Sequence, residues 1–337
     1  MAARFPRRCT ALLALIVAAV AMILAVPGSP AFADPDDEGG SKKLRTALET
    51  AAKGYDQAKT KLASSKKRQK QLAATLKKTE ADASVMTKQV NELANRSYQM
   101  GRISTVTLLL NSSSPDGFMA RVQSVDMLAQ IDSAMLADYR EEVETSKRAK
   151  VALDAEIKEQ KKQVTLMSRK KREAELALAE VGGGSAGGFV DVNSPAAKAA
   201  PRNSDGSWPK ESCTVNDPTS TGCITPRMLH AYDESRDDGF KRYTVCYSSR
   251  ASGEHPKGRA CDFSSNSSTF KNAAATGGDK AFGDRLAAYF VKNASELGVM
   301  YVIWYRQIWM PSTGWRAYSA SGGPAAVHTN HVHLSML

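Results

Sequence analysis

The stretch LRTALETAAKGYDQAKTKL, residues 44–62, decides half of the architecture. Within it Leu44, Leu48, Ala51, Tyr55, Ala58 and Leu62 recur at alternating steps of four and three, the seam of a helix that packs on another helix. The seam runs on through Ser65, Gln69, Leu72, Leu76, Thr79, Ala83, Met86, Val90 and Leu93, weakened in its middle by polar or small residues. Lys, Gln and Glu fill the flanks, as a solvated face requires. A second start signal follows at Ser114-Pro115-Asp116: a Ser N-cap, a Pro in the first turn and an acid at the positive end of the helix dipole. From there Val122, Val125, Ala129, Leu136, Tyr139, Val143, Leu153, Ile157, Val164, Met167, Leu178 and Val181 trace a second seam. Two arms of about 60 residues, roughly 90 Å each, around one break predict an antiparallel coiled-coil hairpin over 41–181.

The periodicity by itself supports only a spacer. Val106-Thr107-Leu108-Leu109-Leu110-Asn111, at the expected tip, is apolar where a turn should be polar, which points to a contact surface. Tyr98-Gln99-Met100-Gly101, this run and the Ser-Ser-Pro-Asp that follows resemble the coiled-coil arms of secreted bacterial peptidoglycan hydrolases. The resemblance implies an arm that docks on a membrane division protein or restrains a catalytic domain.

Working outward, residues 1–33 read as a secretory signal: Arg4, Arg7 and Arg8, then an apolar run from Ala11 to Val26, then Ala31-Phe32-Ala33 before Asp34. That run is short for a bilayer crossing and Pro27-Gly28 ends it, so cleavage is expected over anchoring. The protein is therefore read as secreted, extracytoplasmic and wall-associated. The formal charge is +11, and without the three signal arginines it is 11 − 3 = +8. A basic exported chain is drawn to anionic envelope polymers; its compartment and motifs argue against nucleic acid.

On the other side, Gly182 to Gly188 and the Pro-containing stretch to residue 204 read as a flexible linker. Residues 205–337 have the size of one domain, and its pattern is mixed α and β. Ala281 to Leu297 is an amphipathic helix closed by Gly298. Val299 to Ile308 and Asn330 to Ser335 are strand candidates. Four cysteines lie here, and an even number in an exported domain suggests two disulfides. Cys213–Cys223 and Cys246–Cys261 are favoured because both close short loops.

Two clusters carry chemistry. His331-Val332-His333 places two imidazoles on one face of a strand, with His328 just before them. Gly253-Glu254-His255-Pro256-Lys257-Gly258-Arg259-Ala260-Cys261-Asp262 breaks at Pro256 to Gly258, so that His255 and Asp262 can face one point. Two His and one Asp are the ligand set of a catalytic zinc site with an open position. Among the aromatics, Trp304 and its strand neighbours suit the core. Trp309 and Trp315 flank the turn Pro311-Ser312-Thr313-Gly314 and are candidates for a groove. His230, alone on a helix-like stretch, reads as structural.

His255-x6-Asp262, with Gly258 and Ala260 between, and the C-terminal His331-x-His333 resemble the superfamily of zinc D-Ala-D-Ala carboxypeptidases, murein endopeptidases and hedgehog-like proteins. The resemblance covers about residues 225–337; Gly253 stands where the family pattern has Ser. It implies an α+β domain of that type, Zn2+ as cofactor, and His255, Asp262 and His333 as its ligands. It also implies His331 and His328 as catalytic histidines and Arg250 as the contact for substrate or the tetrahedral intermediate. Many members carry a Glu or Asp base three residues before the last ligand; Asn330 stands there. An amide cannot take a proton from water, which leaves His331 or His328 as base, with Glu254 an outside candidate. Two functions are expected from this. One is a secreted zinc metallopeptidase that cleaves peptidoglycan stem peptides or cross-links, positioned or restrained by its coiled coil. The other is a non-catalytic, metal-stabilised envelope or wall-binding protein that recruits partners through the coiled coil.

Overall fold

The computed structural model describes residues 40–250 and 252–337, the side chains of 100, 102–105 and 108 excepted. The signal lies outside the described residues. Helix α1 spans Lys42–Leu110 and α2 spans Pro115–Leu178. Ser41 and Ser114 cap them, their side chains accepting from Leu44 N and Gly117 N. The chain turns at 111–114, so Val106 and Leu110 belong to the last turns of α1, where they stand exposed. Gly101 interrupts α1 with non-helical backbone (φ 60°, ψ 166°). No described helix is long and apolar enough to cross a membrane.

Every position of the first seam is buried or half-buried. The second seam needs correction. Val164 is 51% exposed and Gln163 beside it is 2% exposed. Glu156 also meets α1, beside the half-buried Ile157: it accepts from Ser65 Oγ at 2.5 Å and from Arg68 Nε at 2.6 Å. Gln160 donates to Gln69 at 2.8 Å. Polar partners therefore fill part of the interface, which a search for apolar residues misses.

The C-terminal part is built on a seven-stranded antiparallel sheet. Its strands in chain order are β1 (Gly182–Ser185), β4 (Thr244–Val245), β5 (Ala260–Ser264), β6 (Val299–Trp304), β7 (Gln307–Met310), β8 (Gly314–Tyr318) and β9 (His331–Met336). They lie side by side in the order β1-β8-β7-β6-β9-β5-β4. A separate two-stranded ribbon joins β2 (Val215–Asn216) to β3 (Cys223–Ile224). Helix α3 is Pro226–Asp237; the expected helix over 281–297 is two, α4 (Gly277–Lys292) and the short α5 (Ala294–Leu297), closed by Gly298 in the left-handed region.

Alternation along each strand gives the sheet two different faces. Phe263, Val302, Trp304, Val332 and Leu334 pack on Phe282, Leu286 and Phe290 of α4. The other face carries Tyr301, Ile303, Ile308, Met310 and Tyr318, and on it sits the root of the helix pair through Leu44, Leu48, Ala51, Ala174 and Leu178. The histidines share this second face, since Asp262 and Ile303 are both in register with His333.

Two readings change further. The single strand expected over 299–308 is a hairpin, β6 and β7, turning at Tyr305 and Arg306. The glycine stretch expected as a flexible linker is tied down: Gly182 pairs with Tyr318 on the sheet edge. Beyond it, Ala197 N donates to Asn293 Oδ1 and Ala200 N to the Glu296 carbonyl. Both favoured disulfides are present, Cys213–Cys223 and Cys246–Cys261. Such bridges belong to an oxidising, extracytoplasmic setting.

Candidate metal centre

Chain reversal around Pro256 brings the two halves of the first motif together. His255–Lys257 form one turn of 3-10 helix, and Gly258 ends it with φ 66°. A side chain there would be strained by that φ and would also meet the Ile224 backbone at 2.7 Å. Gly258 thus lets the chain turn back into β5. Asp262 then lies on the histidine face, while Cys261 points into the core and bridges to Cys246.

The result is a buried group of His255, Asp262 and His333 able to hold a metal ion, with ligand atoms within 4.8 Å of one another. Two atoms each about 2.0–2.2 Å from a tetrahedral ion stand about 3.3–3.6 Å apart. His255 Nε2 lies 3.4 Å from His333 Nδ1 and 3.3 Å from Asp262 Oδ2. Asp262 Oδ1 is closer to His333 Nδ1, at 2.8 Å, as a hydrogen bond. The donor set therefore fits a divalent ion. Each imidazole is held from behind, as ligand histidines are: His255 Nδ1 by the Cys246 carbonyl and His333 Nε2 by Ser335 Oγ at 2.8 Å. Tyr301 stacks on His333 with ring centres 5.6 Å apart.

Burial alone would raise the Asp262 carboxyl; charge on His255 and His331, with hydrogen bonds from His255 and His333, holds it well below the usual range. Burial pushes His331 the other way, down to about 4, with Asp262 opposing and His333, His255 and Arg250 adding to the fall. His328 is also driven far down, by burial and then by His331 and His333. At neutral pH both rings are uncharged bases.

The predicted site residues do converge. His331 Nε2 lies 3.4 Å from Asp262 Oδ1, and His328 packs against His331 with ring centres 4.8 Å apart. His328 adopts φ 52°, and no well-formed hydrogen bond reaches either of its ring nitrogens among the described residues. Arg250 lies against Asp262, Nη2 to Oδ2 at 3.3 Å. Glu254 is directed elsewhere, to Lys257 at 2.9 Å and Arg259 at 2.5 Å. His230 Nε2 bonds the Lys198 carbonyl, a structural role. Trp315 packs edge-on against Phe189. Trp309 lines a cavity of about 840 Å³ with Asp56, Arg202 and Trp208, away from the histidines.

Sequence reasoning missed Ser335, Tyr301 and the seating of the α1 root on this face. Ser335 was readable, two residues past His333 on the same strand face. The seating of α1 was not. His255, Asp262, His328, His331 and His333 are all 0% exposed, and the root of α1 packs beside them. Leu44 and Leu48 join the cluster that holds Tyr301 and Tyr318, and these rings touch His333 and His328. Arg45 Nη2 donates to Ser252 Oγ at 2.7 Å, and Glu49 pairs with Lys257 at 2.9 Å and Arg259 at 2.6 Å.

The family described as VldE, C-terminal domain, matches residues 220–329, which is 110 of the chain's 337 residues. The match takes in Arg250, His255, Asp262 and His328 and ends before His331 and His333. No curated protein and no solved structure matches the chain.

Proposed function

We propose that the chain is a secreted zinc peptidase that hydrolyses peptide bonds in peptidoglycan stem peptides or cross-links, restrained by its own helix pair. The observation that carries this reading is the convergence of His255, Asp262 and His333, with ligand atoms within 4.8 Å of one another, and a further basic nitrogen, His331 Nε2, beside Asp262. Zinc bound there supplies a Lewis acid that polarises the scissile carbonyl and makes water nucleophilic near neutral pH. His331, uncharged at neutral pH, takes the proton from water at Nε2 and returns it to the leaving amine. Arg250 turns from Asp262 to the developing oxyanion, where a fixed charge lowers the barrier. Peptidoglycan enters only after the root of α1 lifts from the sheet. Exposed Val106, Leu110, Phe118 and Met119 at the far end offer a membrane division protein a place to pull.

A second reading, a non-catalytic metal-stabilised wall-binding protein, is favoured by Asn330 in the usual base position and by the complete burial of the site. One experiment separates the two. The mature chain and its Leu48→Ala variant are incubated with purified peptidoglycan, and released muropeptides are read by mass spectrometry. Zinc content is measured in parallel. Products that vanish with His331→Ala establish the peptidase and name the bond. Zinc at one per chain without product from either protein supports the second reading. Stoichiometric zinc retained by His333→Ala sinks the ligand assignment.

A further inference from the structure

Asn330 stands where a carboxylate base was expected, and its hydrogen bonds assign it a different task. The side chain is 1% exposed. Its Nδ2 donates to the Lys271 carbonyl at 2.7 Å. The amide orientation is thereby fixed, and Oδ1 is the atom that faces His331 Nδ1, at 2.8 Å. A carboxamide oxygen only accepts, so the hydrogen of the neutral His331 ring resides on Nδ1. The lone pair is left on Nε2, which is buried with no hydrogen-bond partner among the described residues and lies 3.4 Å from Asp262 Oδ1.

The support extends behind Asn330. Its carbonyl accepts from both Ser265 N and Ser265 Oγ, at 3.0 and 2.8 Å, and the Thr329 carbonyl accepts from Ala275 N at 2.7 Å. Phe270, from the same loop, sets its ring edge-on to His331 with centres 5.7 Å apart. Backbone, amide and imidazole therefore hold one another in a single arrangement.

We infer that Asn330 is a positioning residue that locks His331 as its Nδ1–H tautomer and presents the bare Nε2 to the metal centre. A carboxylate at this position would also orient the ring, but its charge would stabilise the imidazolium and spend the lone pair. The amide orients without charging. The inference gains a catalytic meaning from the proposed peptidase; the tautomer itself does not depend on that reading.

The test is long-range 1H–15N NMR of the full mature chain, labelled with 15N-histidine, metal-free at pH 7.5, with His331 assigned by its loss in His331→Gln. The expected spectrum has a protonated Nδ1 and a bare Nε2 at His331. Asn330→Asp keeps a hydrogen on Nδ1; Asn330→Ala brings in the Nε2–H tautomer. With a hydrogen then aimed at the ligands, zinc binds about 10- to 100-fold more weakly in Asn330→Ala, the scale of a lost supporting contact. A wild-type His331 with its hydrogen on Nε2 overturns the inference without recourse to any variant. So does an unchanged tautomer in folded Asn330→Ala. The expected tautomer together with no wall-peptide cleavage by the mature chain or its Leu48→Ala variant would remove the peptidase and leave the positioning role standing.

Discussion

Truncating Leu48 to alanine is expected to open the metal centre without dismantling it. Leu48 is 2% exposed, in the apolar cluster that seats the root of α1 on Tyr301, Ile303 and Tyr318. Removing a buried leucine side chain to Cβ costs about 2–5 kcal/mol. None of the ligands or their hydrogen bonds involves Leu48, so the cost falls on the seating of the helix root against the sheet. At tenfold per 1.4 kcal/mol, the ratio of closed to open forms then drops by about 30- to 4,000-fold. The assay is the rate at which a chelator strips zinc from the loaded chain, followed by a colour change, in wild type, Leu48→Ala and Leu76→Ala. Leu76 lies on the same seam about 42 Å further along the helix, so its truncation loosens the helix pair without unseating the root. Stripping that accelerates in Leu48→Ala and not in Leu76→Ala supports a cover at the root. Equal stripping rates in all three proteins, with each still folded, would refute the cover and place access elsewhere.

The bridge behind His255 gives a second expectation. Cys246 orients His255 through its carbonyl and is tied to Cys261. Replacing both cysteines by serine should therefore weaken zinc binding by about 10- to 100-fold in a competition titration; unchanged affinity would separate the disulfide from the site. The ion pairs of the root are sensitive to pH. Burial alone would raise the Glu49 carboxyl, but hydrogen bonds from Lys53, Arg259 and Lys257 hold it well below its ordinary 4.5. A depressed carboxyl stabilises the fold above its unfolded pKa and loses that contribution as the pH falls through the folded one. Glu49→Gln should thus cost stability at pH 7, with the gap from wild type narrowing below about pH 4.5. Denaturant midpoints at pH 7 and pH 3 that keep the same gap would rule this out.

What was legible in the sequence was what is local. The step of four and three from Leu44 to Leu93 located a buried stripe because one helix's period fixes it. His331 and His333 share a face because a strand alternates. The second seam slipped at Val164, where Gln163 is the buried residue instead, and it left out Glu156, which also meets α1. Glu156 is stabilised there by Ser65 and Arg68, whose proximity no single segment encodes. The hairpin at Tyr305 and Arg306 was hidden for a related reason. Both residues take positive φ, 49° and 61°, with no Gly, Asn or Asp to announce the turn. Tyr305 N donates to the His328 carbonyl at 2.8 Å and Arg306 N to the Val327 carbonyl at 3.3 Å, so distant backbone holds the turn. His328, itself at φ 52°, is the other end of that bond. Two left-handed turns thus support each other across the sheet, and between them they set the ring of His328 beside His331. The seating of the α1 root was least legible of all. Leu44 and Leu48 carry the pattern of an ordinary helix seam, and only the folded chain reveals that this seam continues off its partner helix and onto the face that holds His255, Asp262 and His333.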